Sequence, residues 1–172
     1  MRYVDEYRAP EQVLQLIGHL KTRAALLEYT AENPLRIMEV CGGHTHAIFK
    51  FGLDQLLPEN IEFIHGPGCP VCVLPMGRID SCIEIASQPD VIFCTFGDAM
   101  RVPGKNGSLL QAKARGADIR IVYSPMDALT LAEDNPARRV VFFGLGFETT
   151  MPATAITLQQ AKARCVENFF FF

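Results

Sequence analysis

Val91-Ile92-Phe93-Cys94-Thr95-Phe96-Gly97-Asp98 is the stretch on which the fold turns. Its first six residues are all apolar or β-branched, with no polar alternation, and then a glycine and an acid break the run. A strand that does not alternate is buried on both faces, which is the habit of parallel sheets covered by helices. Outward from this run, similar short runs recur at residues 35–40, 61–65, 119–123, 140–143 and 169–172, roughly 21–30 residues apart, the repeat of a strand plus a crossover helix. Helix-like pieces fill the gaps at residues 46–57, 78–87, 108–115, 126–133 and 153–164. Ahead of them, Val13, Leu14, Leu16, Ile17, Leu20, Ala24 and Leu27 return at helical spacing between Pro10 and about Asn33, where Asn33-Pro34 stops the helix. The pattern predicts an α/β fold, a parallel sheet with helices on both faces in Rossmann-like βα repeats, plus the start of a second α/β domain.

Three segments are expected: an N-terminal helical segment at residues 1–34, a first α/β domain with the cysteine motifs at 35–135, and the βαβ beginning of a second α/β domain at 136–172. Residues 132–139 are polar and broken by Pro136, and read either as a plain loop inside one sheet or as the hinge to that second domain. Four phenylalanines at 169–172 would leave a bare, sticky strand edge, so the chain reads as a fragment of a longer polypeptide with the second domain only begun.

Composition narrows the function. The chain has 172 residues, 49% hydrophobic and 20% charged, the usage of a globular protein, and its net charge is −3. No run of Lys/Arg exists to build a basic face, which argues against nucleic acid or an anionic membrane as partner. No apolar stretch approaches the ~20 residues that span a bilayer, and residues 1–8 carry no signal-peptide apolar segment, so a cytoplasmic location is expected. In that reducing compartment the 6 cysteines are not a disulfide framework but core filler, metal ligands or reactive thiols.

In an open parallel sheet, ligands bind beyond the carboxyl ends of the strands. The unusual loops fall there: Cys41-Gly42-Gly43-His44-Thr45-His46 after the first run, Gly66-Pro67-Gly68-Cys69-Pro70-Val71-Cys72 after the second, then Gly97-Asp98, Ser124-Pro125-Met126-Asp127 and Gly144-Leu145-Gly146-Phe147-Glu148-Thr149-Thr150. One site built by several loops is the expectation. Its chemistry is that of soft ligands. Cys69 and Cys72 form a C-x-x-C pair in a Gly/Pro-rich turn, and with Cys41 they are the candidate metal ligands, suited to zinc or iron. His44 follows two glycines that free the backbone to present its ring, so it is a candidate both for catalysis and for cofactor binding, while His46 either shares that role or starts a helix. His65 reads as a structural hydrogen-bonding residue or as support for Cys69. Asp98 either caps a turn or orients a donor and is held as a candidate catalytic group; Glu148 either caps the helix near Met151 or contacts a cofactor. Cys82, Cys94 and Cys165 are expected to be packing residues. The Gly144–Thr149 stretch lacks the third glycine of a dinucleotide fingerprint, and no P-loop or nucleophile-elbow pattern occurs.

Taken together, the two cysteine motifs, Phe96-Gly97-Asp98, Tyr123-Ser124-Pro125-Met126-Asp127-Ala128 and Gly146-Phe147-Glu148-Thr149-Thr150 resemble the HypD family of nickel–iron hydrogenase maturation factors, from the first helix to the last residue. The resemblance implies a scaffold on which iron gains two cyanides and one carbon monoxide, working with a small HypC-type chaperone and a HypE-type cyanide donor. It implies Cys41 as thiolate ligand to the iron, and Cys69 and Cys72 as the catalytic dithiol beside it, binding iron or cycling to a disulfide. His44 would support the ligand chemistry by proton transfer or hydrogen bonding. Full-length members also carry a four-iron, four-sulfur cluster whose ligands are not assigned in this chain. The implied protein is an assembly scaffold with a dithiol redox step rather than a conventional turnover enzyme. Two rival readings use fewer residues: a cytosolic thiol–disulfide oxidoreductase needs only Cys69 and Cys72, and a zinc-stabilised interaction module would close a tetrahedral site with Cys41, His44, Cys69 and Cys72.

Overall fold

A computed structural model describes residues 9–172. They comprise seven α-helices and six strands, and divide into two compact units, one ending at Cys72 and the other running from Val73 to Phe172.

In the first unit, α1 (Pro10–Ala24) begins with proline in its first turn, where the missing N–H costs nothing. It is shorter than the sequence predicts. After Ala24 the chain tightens into turns, with Leu26 N–H donating to Arg23 O and Leu27 N–H to Ala24 O, and Leu27 falls outside the helix. Asn60 Nδ2 donates to Ala24 O at 2.8 Å and ties that end of the helix down. Strands β1 (Leu35–Glu39) and β2 (Ile61–His65) pair in parallel, in register from Leu35↔Ile61 to Glu39↔His65. The expected helix at 46–57 is two pieces, α2 (Gly42–Lys50) and α3 (Leu53–Leu56), because Gly52 between them takes a left-handed φ of 61° that no helix can continue through. β1 and β2 are not the doubly buried strands their composition predicts: Arg36, Ile37 and Met38 are exposed, since a two-stranded sheet offers each strand a single neighbour.

The second unit holds α4 (Met76–Ala86), β3 (Val91–Thr95), α5 (Leu109–Ala114), β4 (Ile119–Ile121), α6 (Pro125–Asp134), β5 (Arg139–Phe142), α7 (Met151–Ala163) and β6 (Phe169–Phe171). Its strands form one parallel sheet in the order β4-β3-β5-β6. Counted from β3 this is 2-1-3-4, the beginning of a doubly wound order. The alternating sides of β3 and β5 feed two cores. Val91, Phe93, Val141 and Phe143 pack with Ile79, Cys82, Leu109 and Ala112 of α4 and α5. Ile92, Cys94, Val140 and Phe142 pack with Ala128 and Ala132 of α6 on the other face. All five residues of β3 are buried, as the opening stretch of sequence predicts.

Helix starts in this unit are chemically specified. Ser108 and Gln111 cap α5 reciprocally, as do Ser124 and Asp127 for α6. At residue 136, where a domain boundary is expected, the hydrogen-bonded sheet is continuous. β5 lies between β3 and β6 in a sheet that crosses that point, whereas residues 35–72, expected to share a domain with β3 and β4, form their own sheet. Residues 132–138 are pinned rather than hinged: Asn168 Nδ2 reaches the carbonyls of Ala132, Asn135 and Arg138, and Arg138 donates to Asp118 and to Val91 O. The terminal phenylalanines extend this sheet, with Phe172 N–H donating to Phe142 O at 3.0 Å and the Phe171 ring 6.2 Å from that of Phe142.

Candidate metal centre

The parallel register of β1 and β2 delivers two chains from the sheet side by side. Beyond the last pair, Glu39↔His65, Gly66 N–H donates to Glu39 O at 2.9 Å. One chain then turns into α2 with Cys41 at its N-cap, the Cys41 carbonyl accepting from Thr45 N at 2.9 Å. The other runs through the Gly/Pro-rich turn that carries Cys69 and Cys72. The three sulfurs gather: Cys41 Sγ lies 3.9 Å from Cys72 Sγ, and all three lie within 4.8 Å of one another. Among the described residues this is the one grouping of three or more side chains able to hold a metal ion.

Cys69 and Cys72 are joined as a disulfide, and Cys72 N–H approaches Cys69 Sγ at 3.1 Å. Two electrons and two protons convert that bond to two thiols. Tetrahedral thiolates at about 2.3 Å from a metal lie about 3.8 Å apart, so the Cys41–Cys72 separation already fits, and Cys69 needs only the release of its bond to Cys72. The donor set is soft and suits iron or zinc.

Small residues make the approach possible. A Cβ at Gly42 would lie 3.5 Å from Cys72 Cβ and 3.7 Å from its sulfur, and one at Gly43 would lie 3.6 Å from Cys41 Sγ. A methyl group would fill these gaps, so any longer side chain at Gly42 would push the two loops apart.

His44 stands beside the sulfurs without joining their grouping. Its Nδ1 is 3.2 Å from Glu39 Oε1, and the same oxygen accepts from Cys41 N–H at 2.8 Å. The closed three-cysteine, one-histidine zinc set is therefore not assembled. Glu39 is a site residue that the sequence reading missed, counted only as part of a strand. The sequence carries no signal for it, because Arg36 and Glu39 both interrupt that run and nothing in the spacing sets Glu39 apart. The Cys41 amide, with the His44 ring alongside, holds its carboxyl below the usual carboxylate range. His65 takes the structural role: Nδ1 is 3.2 Å from Thr45 Oγ1, and its ring lies 4.8 Å from that of Phe49. His46 lies within α2, past its first turn.

The other candidates are in the second unit. Asp98 Oδ1 accepts from Ala99 N–H at 2.9 Å and caps the short 3₁₀ turn Ala99–Arg101, so the capping alternative describes its contact. Glu148 opens the turn Glu148–Thr150 and is exposed; α7 has no side-chain cap, which removes the capping role considered for it. A cavity of about 260 Å³ opens where β3, β4 and β5 end, lined by Phe96, Tyr123, Leu145 and Met151 among others, and neither Asp98 nor Glu148 lines it. Cys82 and Cys94 are core residues as expected, and burial pushes both thiols up to about 12. Cys165, expected to pack, is instead exposed just past α7.

An α/β protein with a three-cysteine centre at the carboxyl ends of two parallel strands is what fold and site define. A family model described as "HypD: Hydrogenase formation hypA family" matches residues 13–172, and the chain belongs to the HypD family. Across all 172 residues it is 86% identical to the hydrogenase maturation factor HypD of Escherichia coli K12, of which it covers 46%. It is 61% identical to the HypD of Rhodobacter capsulatus over 172 residues, 46% of that protein. To HypD2 of Bradyrhizobium diazoefficiens it is 56% identical over 173 aligned positions, 44% of that protein. The chain thus spans about half the length of the curated relatives it matches. No helix among the described residues is long and apolar enough to cross a membrane.

Proposed function

We propose that this chain serves hydrogenase maturation as a scaffold that carries iron while two cyanides and one carbon monoxide are installed on it. The iron is cargo. Cys41 holds it, and Cys69 and Cys72, once reduced, complete a three-sulfur face. Strong-field diatomic ligands favour low-spin iron, which accepts thiolate donors well. A HypC-type chaperone shares the iron from the open side, and a HypE-type protein brings the cyanide, in the cytoplasm. Oxidation of the Cys69/Cys72 dithiol to the disulfide releases two electrons and two protons, a reservoir at the place where the ligands arrive. His44 assists by proton transfer or hydrogen bonding. Asp98 is held as a catalytic group and Glu148 as a cofactor contact, roles that Asp98→Asn and Glu148→Gln would test by loss of ligand installation. The four-iron, four-sulfur cluster of full-length members draws no ligand from this chain.

The observation that carries this reading is the convergence of Cys41 with the Cys69/Cys72 pair, residues far apart in sequence whose sulfurs lie within 4.8 Å. The test is anaerobic co-purification with a HypC-type partner, followed by elemental analysis and infrared spectroscopy. Iron with bands of metal-bound cyanide and carbon monoxide is the expected result; stoichiometric zinc without such bands overturns it.

One observation favours a second reading, the thiol–disulfide oxidoreductase: the Cys41 sulfur lies 3.9 Å from Cys72 Sγ of a formed disulfide, in range for thiol–disulfide exchange. Efficient reduction of insulin by the chain, with no iron retained, would select it.

A further inference from the structure

The Glu39 carboxylate joins two parts of the centre. Its Oε1 accepts from Cys41 N–H at 2.8 Å and lies 3.2 Å from His44 Nδ1. A carboxylate oxygen that already accepts one hydrogen bond can only accept another, so the ring nitrogen facing it must carry the hydrogen. In the neutral imidazole this leaves Nε2 with a bare lone pair. His65 provides the contrast. Its Nδ1 faces Thr45 Oγ1, and a hydroxyl can donate or accept, so nothing fixes that ring's tautomer.

We propose that Glu39 is a positioning residue that locks His44 in the Nδ1-protonated tautomer and aims Nε2 outward as a proton acceptor for an acidic X–H group arriving at the sulfurs. The arrangement suits that task. The Glu39 side chain is 22% exposed and anchored to the backbone of Cys41, whereas the His44 side chain is 72% exposed and reachable by what arrives. Gly43, immediately before His44, has Cys41 Sγ 3.6 Å from where its Cβ would be, so ring and thiol are mounted on the same first turn of α2. The atoms balance simply: X–H gives its proton to Nε2, the ring becomes imidazolium with both nitrogens protonated, and Glu39 faces the positive charge. The use of that proton rests on the scaffold reading; the tautomer does not.

The test is ¹⁵N-resolved NMR of the imidazoles in the metal-free, reduced chain at about pH 8.5, two units above an ordinary histidine pKa. His44→Gln identifies the His44 signals among the 4 histidines. Wild-type His44 is expected to be Nδ1-protonated by about tenfold or more over the alternative, the bias a charge-assisted hydrogen bond supplies. This reverses the Nε2–H preference of free imidazole side chains. Glu39→Ala is expected to return the ring to Nε2–H, and Glu39→Gln, which keeps an accepting oxygen in place, to retain Nδ1–H. An Nε2-protonated ring in the wild type, which needs no variant to fold, overturns the proposal. So does persistence of Nδ1–H in Glu39→Ala, or equal loss in both variants. Failure of iron binding with the tautomer intact would instead overturn the scaffold reading alone.

Discussion

Gly42 is the residue on which the sulfur cluster is most sensitive to size. A Cβ built there would lie 3.5 Å from Cys72 Cβ, so a methyl group is in ordinary contact and a branched side chain would press on Cys72. Gly42→Val is therefore expected to lower iron affinity by about 10- to 100-fold, the usual cost of disturbing what supports a metal ligand. Iron retained after desalting would measure it, against an unchanged circular dichroism spectrum. Cys82 and Cys94 respond differently to reagents: with both thiols held neutral by burial up to about 12, they should resist alkylation at pH 8 in the folded chain. Cys165, exposed, should be modified at once, as mass spectrometry of iodoacetamide-treated protein would show. The cysteine motifs were readable because soft ligands in Gly/Pro-rich turns have few structural reasons to exist. Glu39 was not, because its importance lies in a hydrogen bond to the backbone of Cys41 and in a ring one helical turn away, neither of which leaves a mark in residue spacing.

At the level of elements, β3 and β1 were read alike and behave differently. β3 has a neighbour on each edge and a core on each face, so Phe93→Ala should cost about 3–5 kcal/mol in chemical denaturation. β1 pairs only with β2 and is exposed over Arg36–Met38, so hydrogen exchange should find its amides far less protected than those of β3. An apolar run reports that a strand can be buried, not that a neighbour is there to bury it. Likewise the break between α2 and α3 rests on one left-handed glycine inside an apolar stretch that reads as a continuous helix. The helix starts at Ser108 and Ser124 follow from local chemistry and were placed to within a residue or two.

At the scale of the whole chain, the α/β class was legible from periodicity, while the partition into sheets was not, since β5 pairs with β3 rather than with the preceding β4, a choice that spacing cannot distinguish. What binds residue 118 to the chain near 138 is electrostatic. Asp118 is held below the usual carboxylate range first by the Arg120 side chain, with Arg138 adding to it against the opposing effect of burial. A carboxyl depressed on folding stabilises the native state above its unfolded pKa of about 3.9 and loses that contribution as pH falls through the folded value. Asp118→Asn should therefore lower the melting temperature at pH 7, and the gap to wild type should close as pH falls below the unfolded value and through the folded one. The gathering of Cys41, Cys69 and Cys72 remains the claim on which function depends. Iron K-edge X-ray absorption of the reduced, iron-loaded protein tests it most directly. The account predicts a shell of three sulfurs at about 2.3 Å, falling to two in Cys41→Ser. A shell of nitrogen and oxygen alone, or one indifferent to Cys41→Ser, would contradict it.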